Sequence, residues 1–442
     1  MSIEFNSNIE SYLSGFEQFS KDDHFNEIGE ITELRKNAIE NFKELGFPTL
    51  RDEDWRFTNL TPISKGKFKL NGEGSSVDAS MLESFTFKGL DTYLLVFVNG
   101  KFSKELSNIQ DVPDGVTISS LSDAKNENSV VLSGNIGKYL NVETEAFNAL
   151  NTAFFEDGIF INVPDSVVVE KPVHALFITH DDEQSIVNPR NLIILGKSSQ
   201  LKVIEHYVST TESSYLSNVV SEVYVGENGD LEHYLLEFES KKAFNVSTLR
   251  VQQEKNSNIK SHSVLFGGAI VRNNVHPVLA GEGSNSLING LYMSNGRQHM
   301  DNFMRVEHAS PHCDSRQIYN GVLDEDSRGV FHGRIIVHEG AMKTDAKQTN
   351  RNLLLTDKAQ IDTKPQLEIY NDDVKCTHGA TIGQMDENAI FYLQSRGIPK
   401  KEAKTIMVKG FTGESFSNMT IDPLREYLEK FADDWFLNRE HS

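Results

Sequence analysis

The sequence predicts a mainly β chain with helical segments at both ends. Three observations carry this. Helical periodicity is confined to about the first sixty residues, a short stretch at 146–155 and the residues after about 385. Between these lie many short apolar runs of strand length. Late in that region the apolar centres sit near Leu354, Ile361, Glu368 and Cys376, in steps of 7, 7 and 8 residues. Three such steps make roughly 22 residues, inside the window of stacked repeats. A parallel β-helix with three short sides per turn fits that stride. An antiparallel sandwich of short strands fits the same runs.

The elements follow in order. Leu34, Ala38, Phe42 and Leu45 share one helical face, and Gly46 then Pro48 supply a stop. Arg51 to Arg56 is a charged run around Trp55, and Lys67 to Ser80 reads as a polar linker. Tyr93–Val98 followed by Asn99–Gly100 is a strand and a hairpin turn. Ala146–Phe155 reads as a short helix ended by Asp157–Gly158. Strand-sized runs follow at 159–163, 192–195, 219–225, 231–236, 287–293, 330–337, 353–355 and 367–369. Asn228–Gly229, Gly281–Gly283, Asn295–Gly296 and Asn371 are the candidate corners, because Asn and Gly tolerate φ > 0. Helical period returns around Ile390, over Glu402–Val408, and over Leu424–Phe436, where Leu424, Leu428, Phe431 and Trp435 form one stripe. That stripe suits a core or a partner groove. The chain divides into a helical region and linker (1–80), a β core (81–384) and a helical C-terminal region (385–442).

Composition narrows the function. The chain has 442 residues, and 43 Lys and Arg against 64 Asp and Glu give a formal charge of −21. Such a charge repels nucleic-acid phosphates and anionic membranes. Two Cys cannot build a disulfide framework or an all-cysteine metal site. The longest apolar run, Tyr93–Val98, is far short of a membrane span, and Met1–Phe16 has no signal-peptide pattern. A cytoplasmic location is the expectation.

Several side chains invite a chemical reading. His299, His308, His312, His332 and His338 lie close together in sequence with Cys313. His308, His312 and Cys313 are the densest group, a metal or redox candidate or a loop turning at Pro311 around a buried thiol. Cys376 and His378 stand at i and i+2, so on a strand they share a face. A thiolate beside an imidazole suits a borderline metal such as iron. Two ligands hold a metal weakly, so a partner would have to complete the shell. Asp345, Asp357, Asp362, Asp372 and Asp373 suit either paired carboxylates for glycoside chemistry, as on many β-helix enzymes, or plain turns. No phosphate-cradling loop and no Gly-x-Ser-x-Gly elbow is present.

Longer motifs carry a resemblance. Ser315–Leu323, Ser327–Gly333, Lys343–Leu355, Pro365–Ile369, Asp373–Gly383 and Phe391–Gly397 run nearly unbroken through about eighty residues. They resemble the SufB/SufD family of iron–sulfur cluster assembly. Phe47–Pro48–Thr49 with Glu53–Trp55, Phe97–Gly100 and Pro189–Leu192 extend the likeness over nearly the whole chain. Within the family the chain looks like SufD. Where SufB-type chains have Asp-Lys-Cys, this one has Asp357–Lys358–Ala359, and Thr377–Thr381 reads Thr-His-Gly-Ala-Thr. Without a thiolate at 359 the chain lacks the nucleophile that would accept sulfur.

The resemblance implies a right-handed parallel β-helix core between helical ends. It implies a non-catalytic scaffold subunit that pairs with a SufB-like subunit and binds the ATPase SufC. It places His378, with Cys376 beside it, in cluster assembly at the SufB interface, with His378 as a metal ligand. It places SufC binding on the C-terminal helices, which carry Phe391, Tyr392, Arg396 and Phe411. The cluster is then transient and shared with SufB, and no stable cofactor belongs to the isolated chain. Participation of a flavin stays open, as does a homodimer of the isolated chain. The rival readings are a structural β-helix homodimer and a β-helix carbohydrate-active enzyme.

Overall fold

A computed structural model describes residues 3–22, 28–70, 77–181 and 184–438. Its centre is a parallel β-solenoid of about seven turns. The chain alternates between two sheets, laying one strand of about ten residues on each per turn. One sheet stacks Val173–Thr179, Gln200–Ser209, Asp230–Phe238, Asn258–Leu265, Asn285–Ser294, Asp314–Leu323, Asp345–Leu354 and Lys375–Gln384. The other stacks Leu216–Val225, Phe244–Gln253, Ile270–Leu279, His299–His308, Arg328–Val337 and Gln360–Ile369. Every pairing between these strands is parallel, which excludes the antiparallel sandwich.

The coil is longer than the apolar spacing predicts. Ile270 stacks on Phe244, 26 residues earlier, and Gln360 on Arg328, 32 residues earlier. There are two long sides per turn rather than three short ones. Leu354 and Ile361 flank one corner, while Glu368 and Cys376 flank the next. The seven-residue steps therefore alternate between corner and strand, and mark strand ends rather than sides.

One corner column explains how the coils stay aligned. Ser198, Asn228, Asn256, Gly283, His312 and Lys343 all have positive φ, between 55° and 73°. Each donates its N–H to the next coil, from Ser198 to the Glu227 carbonyl (2.8 Å) through Lys343 to the Asp373 carbonyl (2.7 Å). These bonds offset the ~1–2 kcal/mol that a left-handed conformation costs a residue with a Cβ. Asn228 and Gly283 are corners as expected, and Gly296 serves the opposite side with φ 61°. Asn371 turns differently: its φ is not positive, and its Oδ1 accepts the Asp373 N–H at 3.0 Å.

The first coils are closed over. Tyr93–Val98 pairs with Val173–Thr179 and turns at Asn99–Gly100 into Lys101–Asn108, whose side chains are mostly exposed or half-buried. Helices Ile9–Asp22, Gly29–Leu45 and Ala146–Phe154 pack as one unit around Tyr12, Phe42, Phe147 and Phe154. Helix Gly29–Leu45 buries Ile31, Arg35, Ala38, Ile39 and Phe42, and stops at Gly46 with φ 63°. Leu45, expected on that face, is 40% exposed. The expected linker Lys67–Ser80 begins as a buried strand, Phe68–Leu70, and runs into a short helix, Ala79–Leu82. Its residues 71–76 lie outside the described residues.

At the C-terminus helices Glu387–Ser395, Lys400–Phe416 and Asp422–Asn438 follow the last strand. The last helix lies on the outer face of the first sheet. Leu424, Leu428 and Ala432 are buried against Tyr234, Leu236, Val264, Phe266, Leu291 and Met293. Phe431 stacks on Phe238 with centroids 4.6 Å apart. The apolar stripe is core, not a vacant groove. No helix among the described residues is long and apolar enough to cross a membrane.

Candidate functional site

The final strand, Lys375–Gln384, has Asp345–Leu354 on one side and no strand on its other side among the described residues. Its residues therefore keep a free row of backbone groups and an uncovered lumenal face. Cys376 aligns with Ala346, and His378 with Gln348. Cys376 packs on Ile335, Val337, Ala346, Leu367 and Val374, which places it between the two sheets. By the two-residue alternation of a strand, His378, Ala380 and Ile382 share that face. His378 is exposed, since no further coil covers it. Across the lumen the facing strand Gln360–Ile369 is likewise only half-buried.

The structure thus puts Cys376 and His378 on one face of a strand, as their spacing predicts, and that strand is the last of the solenoid. Burial pushes the Cys376 thiol up, and Asp345 adds to this, against a backbone hydrogen bond from Ala346. A thiol held protonated is a poor nucleophile and a poor ligand. Ala359 lies at the corner leading into Gln360–Ile369 and is 5% exposed, packed into the main core.

The other histidines are held by their neighbours. His308 is buried, bonds Ser315 Oγ through Nε2 at 2.8 Å, and has its pKa pushed down to about 4 by burial. His312 is the corner residue described above, and Cys313 is buried with its Sγ 3.3 Å from Ser284 Oγ and from the Gly281 carbonyl. His299 meets Thr58 at 2.9 Å, His332 meets Gln366 at 2.6 Å, and His338 meets Glu307 at 3.3 Å. Among the described residues no three His, Cys, Asp or Glu side chains converge on a metal-sized point. The clustering in sequence reflects stacking of successive coils.

The acidic residues are also spoken for. Asp345 pairs with Arg316, Asp362 with Arg328, and Asp373 with Lys343, while Asp357 accepts from Gln384. Asp372 is exposed in the last corner.

On the C-terminal helices Phe391 is 70% and Tyr392 57% exposed. Arg396 lies over the Tyr392 ring at 5.3 Å and donates to its Oη at 3.1 Å. Phe411 differs, being half-buried against the solenoid core. Ile406 on the adjoining helix is also exposed.

Two features escape sequence reasoning. One is a cleft of about 350 Å³ where the N-terminal unit meets the second sheet. Arg272, sandwiched between Trp55 (4.3 Å) and Phe303 (4.5 Å), bonds Asp301 at 2.5 Å and the Asp54 carbonyl at 2.9 Å. At its rim Glu53 pairs with Lys364 and Arg334 with Glu368. These bonds join residues far apart in sequence, so no local pattern announces them. The other is Gln348, buried directly behind His378. Its signal is the alternation Ala346, Gln348, Asn350, Asn352, all buried and three of them polar.

Comparison with known proteins agrees with this architecture. Residues 177–411 match the SufBD core domain of SUF system FeS cluster assembly, and residues 6–175 match the SufBD protein N-terminal region. An iron–sulfur cluster assembly SufBD family protein of Synechocystis is 32% identical over 409 residues, covering 90% of each chain. The iron–sulfur cluster assembly protein SufD of Escherichia coli is 32% identical over 406 residues, covering 90% of this chain and 92% of its own. SufD of Bacillus subtilis is 26% identical over the same shares. A match over both halves, with a relative 32% identical over 90% of each chain, makes this chain a member of the SufBD family of the SUF iron–sulfur cluster assembly system.

Proposed function

We propose that this chain is a cytoplasmic, non-catalytic SufD-type subunit of a SufB–SufC–SufD complex. The observation that carries the reading is the uncapped end of the solenoid with His378 on its last strand. A SufB-like solenoid stacked on that end would pair the free backbone groups of Lys375–Gln384 and cover Ile369 and Ile382, both exposed here. A second copy of this chain is the alternative occupant. Phe391, Tyr392 and Arg396 would form part of the SufC contact, with Phe411 beneath it as support. ATP-driven approach of two SufC subunits would strain the C-terminal helices, and the helix Lys400–Phe416 packs on the strands Asn285–Ser294 and Asp314–Leu323. That strain would open the interface.

The nascent cluster is the cargo. His378 would donate a neutral imidazole nitrogen to it, joining a SufB thiolate. Cys376 would be a wall of the site, its raised thiol pKa disfavouring ligation. His378→Ala is expected to abolish cluster assembly in cells while SufB and SufC still co-purify with the chain. Unchanged assembly in that variant would remove His378 from the mechanism.

A further inference from the structure

Behind His378 stands a ladder of amides. Gln317, Gln348 and His378 occupy aligned positions on three successive strands of one sheet. Side chains so aligned stand about 4.8 Å apart, near enough for successive rungs to hydrogen-bond. Gln348 is 2% exposed, and its Nε2 donates to Gln317 Oε1 at 2.9 Å. Across the lumen, a Cβ added to Gly333 would meet Gln348 Nε2 at 2.1 Å and Cδ at 2.5 Å. The amide therefore depends on a glycine opposite to lie where it does. With Nε2 committed to Gln317, Gln348 Oε1 is left buried without a hydrogen-bond partner.

A buried carbonyl without a donor is destabilising. The next rung toward the opening is His378, and a neutral imidazole has one N–H to give and one lone pair to keep. We infer that Gln348 is a positioning residue for His378: its Oε1 accepts the N–H of one ring nitrogen and turns the other nitrogen's lone pair to the opening. This rests on the proposed role of His378 as a ligand to the nascent cluster. Metal-binding histidines are held to one tautomer by such a carbonyl or carboxylate. Gln348 Oε1 is already shut off from solvent, and His378 on the neighbouring rung is the donor that can turn to it. Gln317 acts one rung further back by fixing the direction of the Gln348 amide.

The test reads the tautomer directly. The full-length chain is labelled with ¹⁵N-histidine and its imidazole nitrogens are observed by NMR at alkaline pH, where the ring is neutral. The His378 signals are those missing from His378→Ala. One ring nitrogen of His378 is expected to carry the proton in the unsubstituted chain. Gln348→Leu removes the acceptor and is expected to give a mixture of tautomers, whereas Gln348→Glu keeps an acceptor and keeps one tautomer. Gln348→Met, also without an acceptor, gives the same reading if the Leu variant does not fold. A tautomer ratio unchanged by loss of the acceptor overturns the inference. In cells, Gln348→Leu is expected to slow cluster assembly about 10- to 100-fold, with Gln348→Glu restoring it. The two ideas fail separately: normal assembly in His378→Ala defeats the ligand role alone, and an unmoved tautomer defeats the Gln348 inference alone.

Discussion

His308 shows how a histidine in this fold is tied to stability rather than to metal. It is buried, its Nε2 faces Ser315 Oγ, and burial holds its pKa down at about 4. In the unfolded chain the same ring binds its proton near pH 6.5. Between those values the unfolded state holds more protons, so stability falls as pH drops from about 6.5 toward 4. The share owed to His308 is present at pH 7 and has lost about 2 kcal/mol by pH 5. His174, pushed down to about 3 by burial, acts in the same direction. His308→Gln is expected to narrow the gap between urea midpoints at pH 7 and pH 5. An identical gap would mean that His308 is not neutral in the folded chain. His378, exposed on the last strand, belongs to a different class from these core rings.

Elements divide into those a sequence announces and those it hides. The hairpin is announced by Asn99–Gly100, and the three C-terminal helices by apolar faces that repeat locally, although the middle one, read over Glu402–Val408, extends over Lys400–Phe416. The C-terminal helix is also where packing is most easily tested. Leu428 is fully buried against the solenoid, and the preceding turn is pinned by Thr420, whose N–H and hydroxyl both donate to Glu232. Leu428→Ala is expected to destabilise this attachment by about 2–5 kcal/mol. Hydrogen exchange should then quicken across 422–438 while the strands at 230–265 stay protected. Uniform loss of protection would mean that helix and solenoid unfold as one unit. The length of the solenoid coil was hidden for two reasons. Its corners are turned by Ser198, His312 and Lys343 as well as by Asn and Gly. Its lumen holds Asn191, Glu205, Ser221, Gln317 and Gln348, polar side chains that bond to one another, so inward positions do not read as apolar. Cys376 and His378 were legible because an i, i+2 pair needs only a strand. Gln348 was not, because its meaning depends on a strand thirty residues away.

At the scale of the whole molecule the two ends of the solenoid are unlike. The N-terminal end is finished by the hairpin strand Lys101–Asn108 and by helices. The C-terminal end stops on Gln360–Ile369 and Lys375–Gln384, with no further strand paired to them among the described residues. Repeat folds need a polar cap at each end, and an uncovered apolar edge invites pairing. The formal charge of −21 keeps copies apart at long range, so a partner must be held by backbone pairing and apolar contact at this end. Ile382 is 51% exposed and on the lumenal face with His378. Ile382→Asp places a charge where a partner coil would have to desolvate it, while removing little that the chain itself buries. The variant is expected to keep the thermal midpoint of the isolated chain within a few degrees and to lose co-purification with a SufB-like subunit by at least about tenfold, about 1.4 kcal/mol. Light scattering of the isolated chain separates the alternative occupant, since a homodimer through the same end would dissociate with the same substitution. A complex retained at full strength would show that the partner sits elsewhere, and the open end would then need another explanation.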